Sequence, residues 1–150
     1  EAALFGEKSV VTMADNPMCL DGSIVSVESA DGAIEVGATT IINIKPGRVG
    51  GFLNASDIHD LCVEKSIPVW CGGMLETGIG RAANIALAAL PGFTLPGDTS
   101  ASSRYYKEDV THPFVLDEGQ LHVPTGPGIG VEPIAANLAQ MSTATQQIEL

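Results

Sequence analysis

Positively charged residues are scarce in this 150-residue sequence. Seven Lys and Arg stand against 18 Asp and Glu, which leaves a formal net charge of −11. A charge of that sign repels the phosphates of nucleic acids and the headgroups of anionic lipids. The composition therefore argues against nucleic-acid and membrane-surface partners, and it favours a metal cation or a small ligand.

Long apolar runs and paired cysteine motifs are also missing. No run approaches the ~18 residues that cross a bilayer, and no basic stretch with an apolar core behind it opens the sequence. The three cysteines, Cys19, Cys62 and Cys71, form no C-x-x-C pair, and two of them lie in apolar runs. This pattern is typical of reduced, buried thiols. We therefore expect a cytoplasmic protein with no membrane partner.

Short apolar runs alternate with helical patterns over most of the chain. Hydrophobic residues make up 45% of the sequence and charged residues 17%, which argues against disorder. The alternation is typical of β/α units around a parallel sheet whose outer face is covered by helices. The predicted strands cover residues 17–21, 39–45, 67–73 and 93–98, and the predicted helices cover residues 26–38, 50–66 and 78–92.

A different pattern begins near residue 110. The run "PFVLDEGQLHVPTGPGIG" (113–130) predicts two β segments around an Asp-Glu-Gly turn, followed by a Gly/Pro loop. The tail, residues 136–150, is weakly amphipathic and fits either a terminal helix or a frayed end. We therefore divide the chain into residues 1–110 and residues 111–150.

Polar residues follow the predicted strands at the edge where a β/α protein carries its chemistry. Asp21 and Lys45 lie 24 residues apart, one β/α repeat, so they should follow adjacent strands and face the same side. A carboxylate that binds a divalent metal beside a lysine that moves a proton suits proton abstraction next to a carboxylate. The alternatives are a lysine that only reaches solvent and an aspartate that only caps a turn or helix.

Other polar residues near this edge keep two interpretations each. Glu76 fits a hydrogen-bond acceptor for a catalytic cation or a helix cap, and Arg48 fits the rim of a site or a partner for a surface acid. Asp98 fits a turn former or a ligand. The G-x-G of "GIGRAAN" lacks the full phosphate-loop pattern and favours a tight turn, and His59, His112 and His122 have no metal-ligand spacing.

Several ordered motifs carry a resemblance to a known family. The runs "INIKPGRVGG", "WCGGMLETGIGRAAN" and "VPTGPGIGVE" resemble the C-terminal half of the enolase superfamily, in its muconate lactonizing subgroup. Within that subgroup they are most similar to the o-succinylbenzoate synthases and N-acylamino acid racemases. The resemblance implies the second half of a modified (β/α) TIM-type barrel in residues 1–110. Residues 111–150 would then form a β segment that returns to a capping domain, followed by the tail.

The resemblance also implies roles for individual residues. Asp21 matches the third ligand of a Mg²⁺ ion, Lys45 matches the second acid/base lysine, and Gly73 and Met74 match residues that line the substrate pocket. The substrate would be a small carboxylate. The implied reaction dehydrates a succinyl-hydroxycyclohexadiene carboxylate for menaquinone synthesis, with racemisation of N-acylamino acids as a second activity. We expect a homo-oligomer of the full-length protein.

Parts of the family pattern have no counterpart in this sequence. A β/α barrel needs roughly 200 residues or more, and the K-x-K pair and the first two metal ligands are missing. Residues 1–16 fit the helix that precedes the strand of Asp21, and Gly22 stands where the family usually has Glu. We therefore expect a fragment that is inactive in isolation. The alternative is a non-catalytic, degenerate half-barrel that serves as a folding or interaction unit.

Overall fold

Strands and helices alternate through the first 90 residues of the computed structural model, which describes residues 2–13 and 15–148. Residues 1, 14, 149 and 150 lie outside the described residues. The first two belong to the predicted helical segment 1–16, and the last two belong to the tail 136–150. In chain order the elements are α1 (Ala2–Met13), β1 (Cys19–Leu20), α2 (Val27–Glu35), β2 (Ile41–Ile44), α3 (Pro46–Val49), α4 (Phe52–Glu64), β3 (Val69–Cys71), α5 (Gly78–Ala88), a short 3₁₀ helix (Ser102–Arg104) and α6 (Ala135–Met141).

The sheet is parallel, in the order β1-β2-β3. Leu20 pairs with Ile42, and Ile42 pairs with Val69, so these side chains share one face. That face is buried against small and branched residues of the helices, among them Ala33, Ala55 and Ile58. Each branched side chain buried there contributes about 1.5–3 kcal/mol. The prediction of a helix-covered parallel sheet is therefore confirmed.

Two of the cysteines belong to this apolar core. Cys62 on α4 and Cys71 on β3 are buried and free of disulfides, whereas Cys19 is exposed. Burial raises the pKa of each buried thiol to about 12. At neutral pH both side chains are uncharged and behave as small apolar residues, as the sequence predicts.

Two helices start with recognisable local signals. Ser26 and Ser29 form a reciprocal capping box at the start of α2, in which each side chain binds the other residue's backbone N–H. Pro46 occupies the first turn of α3, where its missing N–H costs nothing. The one-turn helix α3 was not among the predicted elements, although this proline is the signal for it.

The predicted strand at residues 93–98 is wrong. Phe93 makes only an isolated parallel bridge to Val69, and Leu95 donates one backbone hydrogen bond to the Val69 carbonyl. Pro96, which cannot donate a ladder hydrogen bond, and Gly97 follow at once. The segment therefore contacts β3 without extending the sheet.

The two predicted β segments after residue 110 are reduced to a single turn. Asp117 and Gln120 form an isolated antiparallel bridge around Glu118 and Gly119, both of which have positive φ. The flanking residues do not form strands, because a short two-stranded hairpin without a third strand is marginally stable. The predicted Asp-Glu-Gly turn is confirmed, and the flanking strands are not.

The C-terminal region contains one further helix. α6 covers Ala135–Met141, so the helical alternative for the tail holds for part of its length. Within the residues that the structure describes, none of the helices is long and apolar enough to cross a membrane.

Candidate active site

The candidate site lies where β1 and β2 end. Asp21 follows the last residue of β1, and Lys45 follows the last residue of β2. The Lys45 Nζ lies 3.1 Å from Asp21 Oδ2. The structure thus brings together the two residues that the 24-residue spacing placed on adjacent strands.

The turn after Lys45 is fixed by its own sequence. Lys45 is still extended, with φ −121° and ψ 108°, and Pro46 begins α3 immediately after it. Gly50 ends α3 with φ +90°, a left-handed conformation that favours glycine, and Gly51 precedes α4 with φ +116°. The proline and the glycines therefore reverse the chain within a few residues of the strand end.

The same turn delivers a second cation, Arg48, to the carboxylate. Its Nη1 forms an ion pair with Asp21 Oδ1, and its Nε donates a hydrogen bond to the Ile24 carbonyl over 2.6 Å. Desolvation lowers the pKa of Arg48 from its ordinary value, but the guanidinium remains charged at neutral pH. The sequence left Arg48 either at the rim of a site or paired with a surface acid. In the structure it does both, because the acid that it pairs with is Asp21 of the candidate site.

The arrangement concentrates positive charge in an acidic chain. Two of the seven Lys and Arg residues contact one carboxylate, so the cluster of Asp21, Lys45 and Arg48 carries a net charge of about +1. Asp21 is 47% exposed, whereas Lys45 and Arg48 are 19% and 15% exposed. Such a cluster can attract a carboxylate ligand, because a partly buried cation is screened less than one in open solvent.

A metal ion would find one carboxylate here. Asp21 offers the hard oxygen donors that Mg²⁺ prefers. Among residues 2–13 and 15–148, the structure contains no group of three or more His, Cys, Asp or Glu side chains placed to hold a metal. The described residues thus fit a single contributed ligand and do not form a complete site.

Gly72, at the end of β3, leaves room for Lys45. A Cβ at this position would lie 2.6 Å from Lys45 Cε and 2.3 Å from Asn43 Oδ1. The lysine side chain therefore crosses the end of β3 where any other residue would block it. Asn43 is fully buried on the same face of β2 as Lys45, and its amide has no hydrogen-bond partner in the described structure.

The two predicted substrate-pocket residues follow Gly72. The Gly73 N–H donates to Asp98 Oδ1 over 2.5 Å, and the Met74 N–H donates to Glu76 Oε1 over 2.6 Å. The Met74 sulfur lies 3.3 Å from the position of a Cβ on Gly47, which belongs to α3. Gly73 and Met74 therefore lie on the loop that neighbours the Lys45 turn, and Met74 borders an open pocket of about 330 Å³.

Glu76 and Asp98 act on the backbone of this loop. Glu76 Oε1 also accepts a hydrogen bond from Asn84 Nδ2 over 2.8 Å, and its Oε2 is buried without a partner in the described structure. Neither a bond to Lys45 nor a cap on α5 is among its contacts in the described residues. Asp98 is exposed and accepts the Gly73 N–H, so it connects two loops that lie 25 residues apart, a role that neither sequence interpretation gave it.

The glycine-rich start of α5 is filled by protein atoms. The Gly78 N–H donates to the buried carboxylate of Asp109 over 2.9 Å, and a Cβ on Gly78 would lie 1.8 Å from Thr111 Oγ1. The helix N-terminus therefore has its anion already. The prediction that this G-x-G is a tight structural turn, and not a phosphate loop, agrees with this geometry.

Comparison with known proteins places the chain in a class. The parallel sheet and its covering helices have an enolase-type β/α fold. The chain belongs to the Enolase C-terminal domain-like family, whose match covers residues 6–137.

Individual relatives agree with this assignment. The chain is 59% identical over 144 residues to an N-succinylamino acid racemase of Amycolatopsis, covering 96% of this chain and 39% of the relative. It is 60% identical over 116 residues to the o-succinylbenzoate synthase of Bacillus subtilis, covering 77% of this chain and 31% of the relative. A solved enolase-superfamily structure from Listeria innocua matches with a TM-score of 0.91 at 42% identity, covering 95% of this chain and 39% of that one. The chain thus spans about a third to two fifths of these proteins, which belong to a family of enzymes.

Several residues that build the site escaped sequence reasoning. Arg81 is 1% exposed, and it donates to the carbonyls of Glu76 and Ser100. Tyr106 donates to the Leu75 carbonyl over 2.6 Å, and Asp109 binds the start of α5. Arg81 had a detectable signal, because a lone cation on the apolar face of an Ala-rich helix must find buried acceptors. Tyr106 and Asp109 had none, since their partners lie 31 residues away in the sequence.

Proposed function

We propose that the protein containing this chain is an o-succinylbenzoate synthase that also racemises N-acylamino acids. Its main reaction would be the dehydration of a succinyl-hydroxycyclohexadiene carboxylate in menaquinone biosynthesis, in the cytoplasm and in a homo-oligomeric protein. The observation that carries the proposal is the contact of Lys45 with Asp21 at adjacent strand ends. The proposal is supported by similar proteins that are named for an N-succinylamino acid racemase and for an o-succinylbenzoate synthase.

Lys45 is the residue to which we assign proton transfer. Its side chain lies at the strand-end edge and is only 19% exposed, which limits competition from water. In racemisation, Lys45 exchanges the α-proton of one enantiomer of the substrate. In dehydration, it faces the ring as a cation and stabilises negative charge that develops next to the carboxylate.

Lys45 must leave its ion pair before it can give or take a proton at the substrate. Arg48 binds the other oxygen of Asp21 and two backbone carbonyls, so it can hold the carboxylate in place while Lys45 moves. The lack of a side chain at Gly72 leaves the space that the Lys45 side chain occupies. Gly73 and Met74 would contact the substrate from the neighbouring loop.

Asp21 is the residue to which we assign metal binding. Members of the enolase superfamily use Mg²⁺, and Asp21 would contribute one of its ligands. When bound, the metal would supply positive charge that favours ionisation of the carbon next to the substrate carboxylate. The other ligands would have to come from outside the described residues, since these hold no three-residue group suited to a metal.

The test is a chimera that carries this chain in place of the matching segment of the Amycolatopsis racemase. Lys45→Ala should abolish racemisation of an N-succinylamino acid, because no other group exchanges the proton on that face. Dehydration should fall about 10²–10⁴-fold. The matched control is Lys65→Ala, at an exposed lysine just beyond α4. Circular dichroism checks the fold, and unchanged rates in a folded Lys45→Ala chimera would refute the assignment.

A second candidate is a non-catalytic folding or interaction unit. The observation that favours it is that Asp21, the one candidate ligand, is already neutralised by two cations in this structure. On this alternative, Lys45→Ala would leave the activity of the chimera unchanged. Isothermal titration of the 150-residue chain with Mg²⁺ should show no saturable micromolar binding on either proposal. Such binding would contradict the expectation that the chain lacks a complete metal site.

A further inference from the structure

The loop between β3 and α5, residues 72–77, is held by side chains that come from elsewhere in the chain. Asp98 accepts the hydrogen bond of the Gly73 N–H, and Tyr106 donates to the Leu75 carbonyl over 2.6 Å. Arg81 donates to the Glu76 carbonyl over 2.9 Å. Between β3 and α5, backbone groups that have no partner in a regular element are thus satisfied one by one.

The side chains that hold the loop are themselves anchored. Arg81 Nη1 also donates to the Ser100 carbonyl, and its guanidinium lies 5.8 Å from the centre of the Tyr105 ring. Asp109, which binds the Gly78 N–H, is 4% exposed, and its own carbonyl accepts a hydrogen bond from Asn137 Nδ2 over 2.8 Å. The segment 98–109 is therefore itself joined to α5 and α6 at the residues that support the loop.

Tyr106 has a particular place in this support. Its hydroxyl binds the carbonyl of Leu75, the residue directly after Met74, and Leu75 itself is 70% exposed. The side chain of Leu75 therefore does not hold the loop against the rest of the protein by hydrophobic packing. The carbonyl contact from Tyr106 is the restraint next to Met74 on its C-terminal side, and the Glu76 carboxylate binds the Met74 N–H directly.

We propose that Tyr106 is a positioning residue that sets where Met74 meets the substrate. This rests on the proposed function, in which Met74 lines the pocket for an N-acylamino acid. Loss of the Tyr106 hydroxyl frees the Leu75 carbonyl and lets the loop sample positions that contact the acyl substrate less well. The expected effect is weaker substrate binding with little change in proton transfer at Lys45, because Lys45 belongs to the other loop.

Neighbouring Tyr105 supplies a matched control. The guanidiniums of Arg81 and Arg104 lie 5.8 and 5.7 Å from the centre of its ring, and its hydroxyl makes no hydrogen bond within the described part of the chain. Tyr106→Phe and Tyr105→Phe each remove one hydroxyl from adjacent residues. Only the first removes a bond to the loop.

Hydrogen exchange of the 150-residue chain measures the support without reference to activity. Tyr106→Phe should speed amide exchange in residues 72–77 about 3- to 10-fold, the effect of one lost hydrogen bond. Tyr105→Phe should leave that exchange unchanged. Equal exchange in wild type and Tyr106→Phe would overturn the proposal whatever the enzymatic result.

Kinetics of the active chimera test the consequence for the substrate. Tyr106→Phe should raise KM for an N-succinylamino acid about 3- to 10-fold, with kcat changed less than about twofold. A purely structural defect would instead lower kcat at constant KM, through a smaller active fraction, and would count against the proposal. If Lys45→Ala is without effect, the proposed function fails and the substrate role of Tyr106 falls with it, while the exchange result still reports the support of the loop.

Discussion

The two loops of the candidate site are positioned by different means. The backbone of the turn after β2 is shaped by its own residues, since Pro46 starts a helix of one turn and Gly50 ends it with φ +90°. Its side chain Arg48 then joins it to Asp21 and to the Ile24 carbonyl. The loop after β3 depends on Asp98, Tyr106 and Asp109, which lie 25 to 31 residues further along the chain than their partners. The lysine to which we assign proton transfer thus lies at the start of the first loop, and Gly73 and Met74, which we propose to contact the substrate, lie on the second.

The difference suits the tasks that we assign to the loops. A proton-transfer group must be positioned closely against its substrate, and a turn whose proline and glycines fix its backbone restricts where the lysine side chain begins. A substrate-contacting loop can change its position when a distant supporting residue changes. Specificity could therefore shift through residues 98–109 without any change next to Lys45.

Asp109→Ala should show the largest effect on stability among the substitutions compared, because it removes a buried carboxylate that binds two backbone N–H groups. The carboxylate accepts hydrogen bonds from the Gly78 and Val110 N–H groups at 2.9 and 2.7 Å. Two buried donors without partners should cost about 2–4 kcal/mol of unfolding free energy. Urea denaturation of the chain measures this loss.

The matched control is Asp117→Ala, since Asp117 is 76% exposed and only 3.8 Å from the exposed His122. We expect a change below about 0.5 kcal/mol there. Equal losses from the two substitutions would mean that the start of α5 does not depend on the distant carboxylate, and the contrast between the loops would disappear.

Sequence reasoning recovered the locally determined part of the molecule. The helices α2, α4 and α5 and the strands β1, β2 and β3 lie inside their predicted ranges, because each follows from a short hydrophobic pattern with turn residues at its ends. The juxtaposition of Asp21 and Lys45 followed from one repeat length. The predicted strand at 93–98 failed because Pro96 and Gly97 interrupt the segment, a signal that is present in its own sequence.

Gly72→Ala should have an intermediate effect, and it acts on both loops at once. The new Cβ would lie 2.6 Å from Lys45 Cε and 2.3 Å from Asn43 Oδ1, so both side chains must move. Overpacking of this kind costs about 1–3 kcal/mol. The chimera should in addition lose racemase activity, because the new Cβ displaces Lys45.

Gly22→Ala is the control for this substitution, because a Cβ there meets nothing within 4 Å although Gly22 follows Asp21 directly. It should leave both stability and rate nearly unchanged. A Gly72→Ala chimera with wild-type activity would show that Lys45 does not need the space above Gly72.

The parts of the site that sequence reasoning missed are those made by long-range polar contacts. Arg48 was seen as a cation near the edge, but its ion pair with Asp21 depends on the turn that α3 makes. Tyr106 lies in a segment without regular structure, and its partner is a backbone carbonyl, which carries no sequence signal. A backbone acceptor can belong to any residue, so only the fold identifies it.

Gly50→Ala should show the smallest effect, and it tests the claim that the first loop is determined locally. At φ +90° an alanine is strained by about 1–2 kcal/mol, and its Cβ would lie 3.0 Å from Asn54 Nδ2. Gly37→Ala is the matched control, because Gly37 has φ +66° after α2, with nothing within 4 Å of a Cβ. Both variants should lose about the same unfolding free energy in urea, but only Gly50→Ala should slow the chimera, because only Gly50 shapes the turn that carries Lys45 and Arg48. Hydrogen exchange in residues 72–77 should stay at the wild-type rate in both. Faster exchange of that loop in Gly50→Ala would show that the two loops are coupled, and the division into a local and a distant means of support would then be wrong.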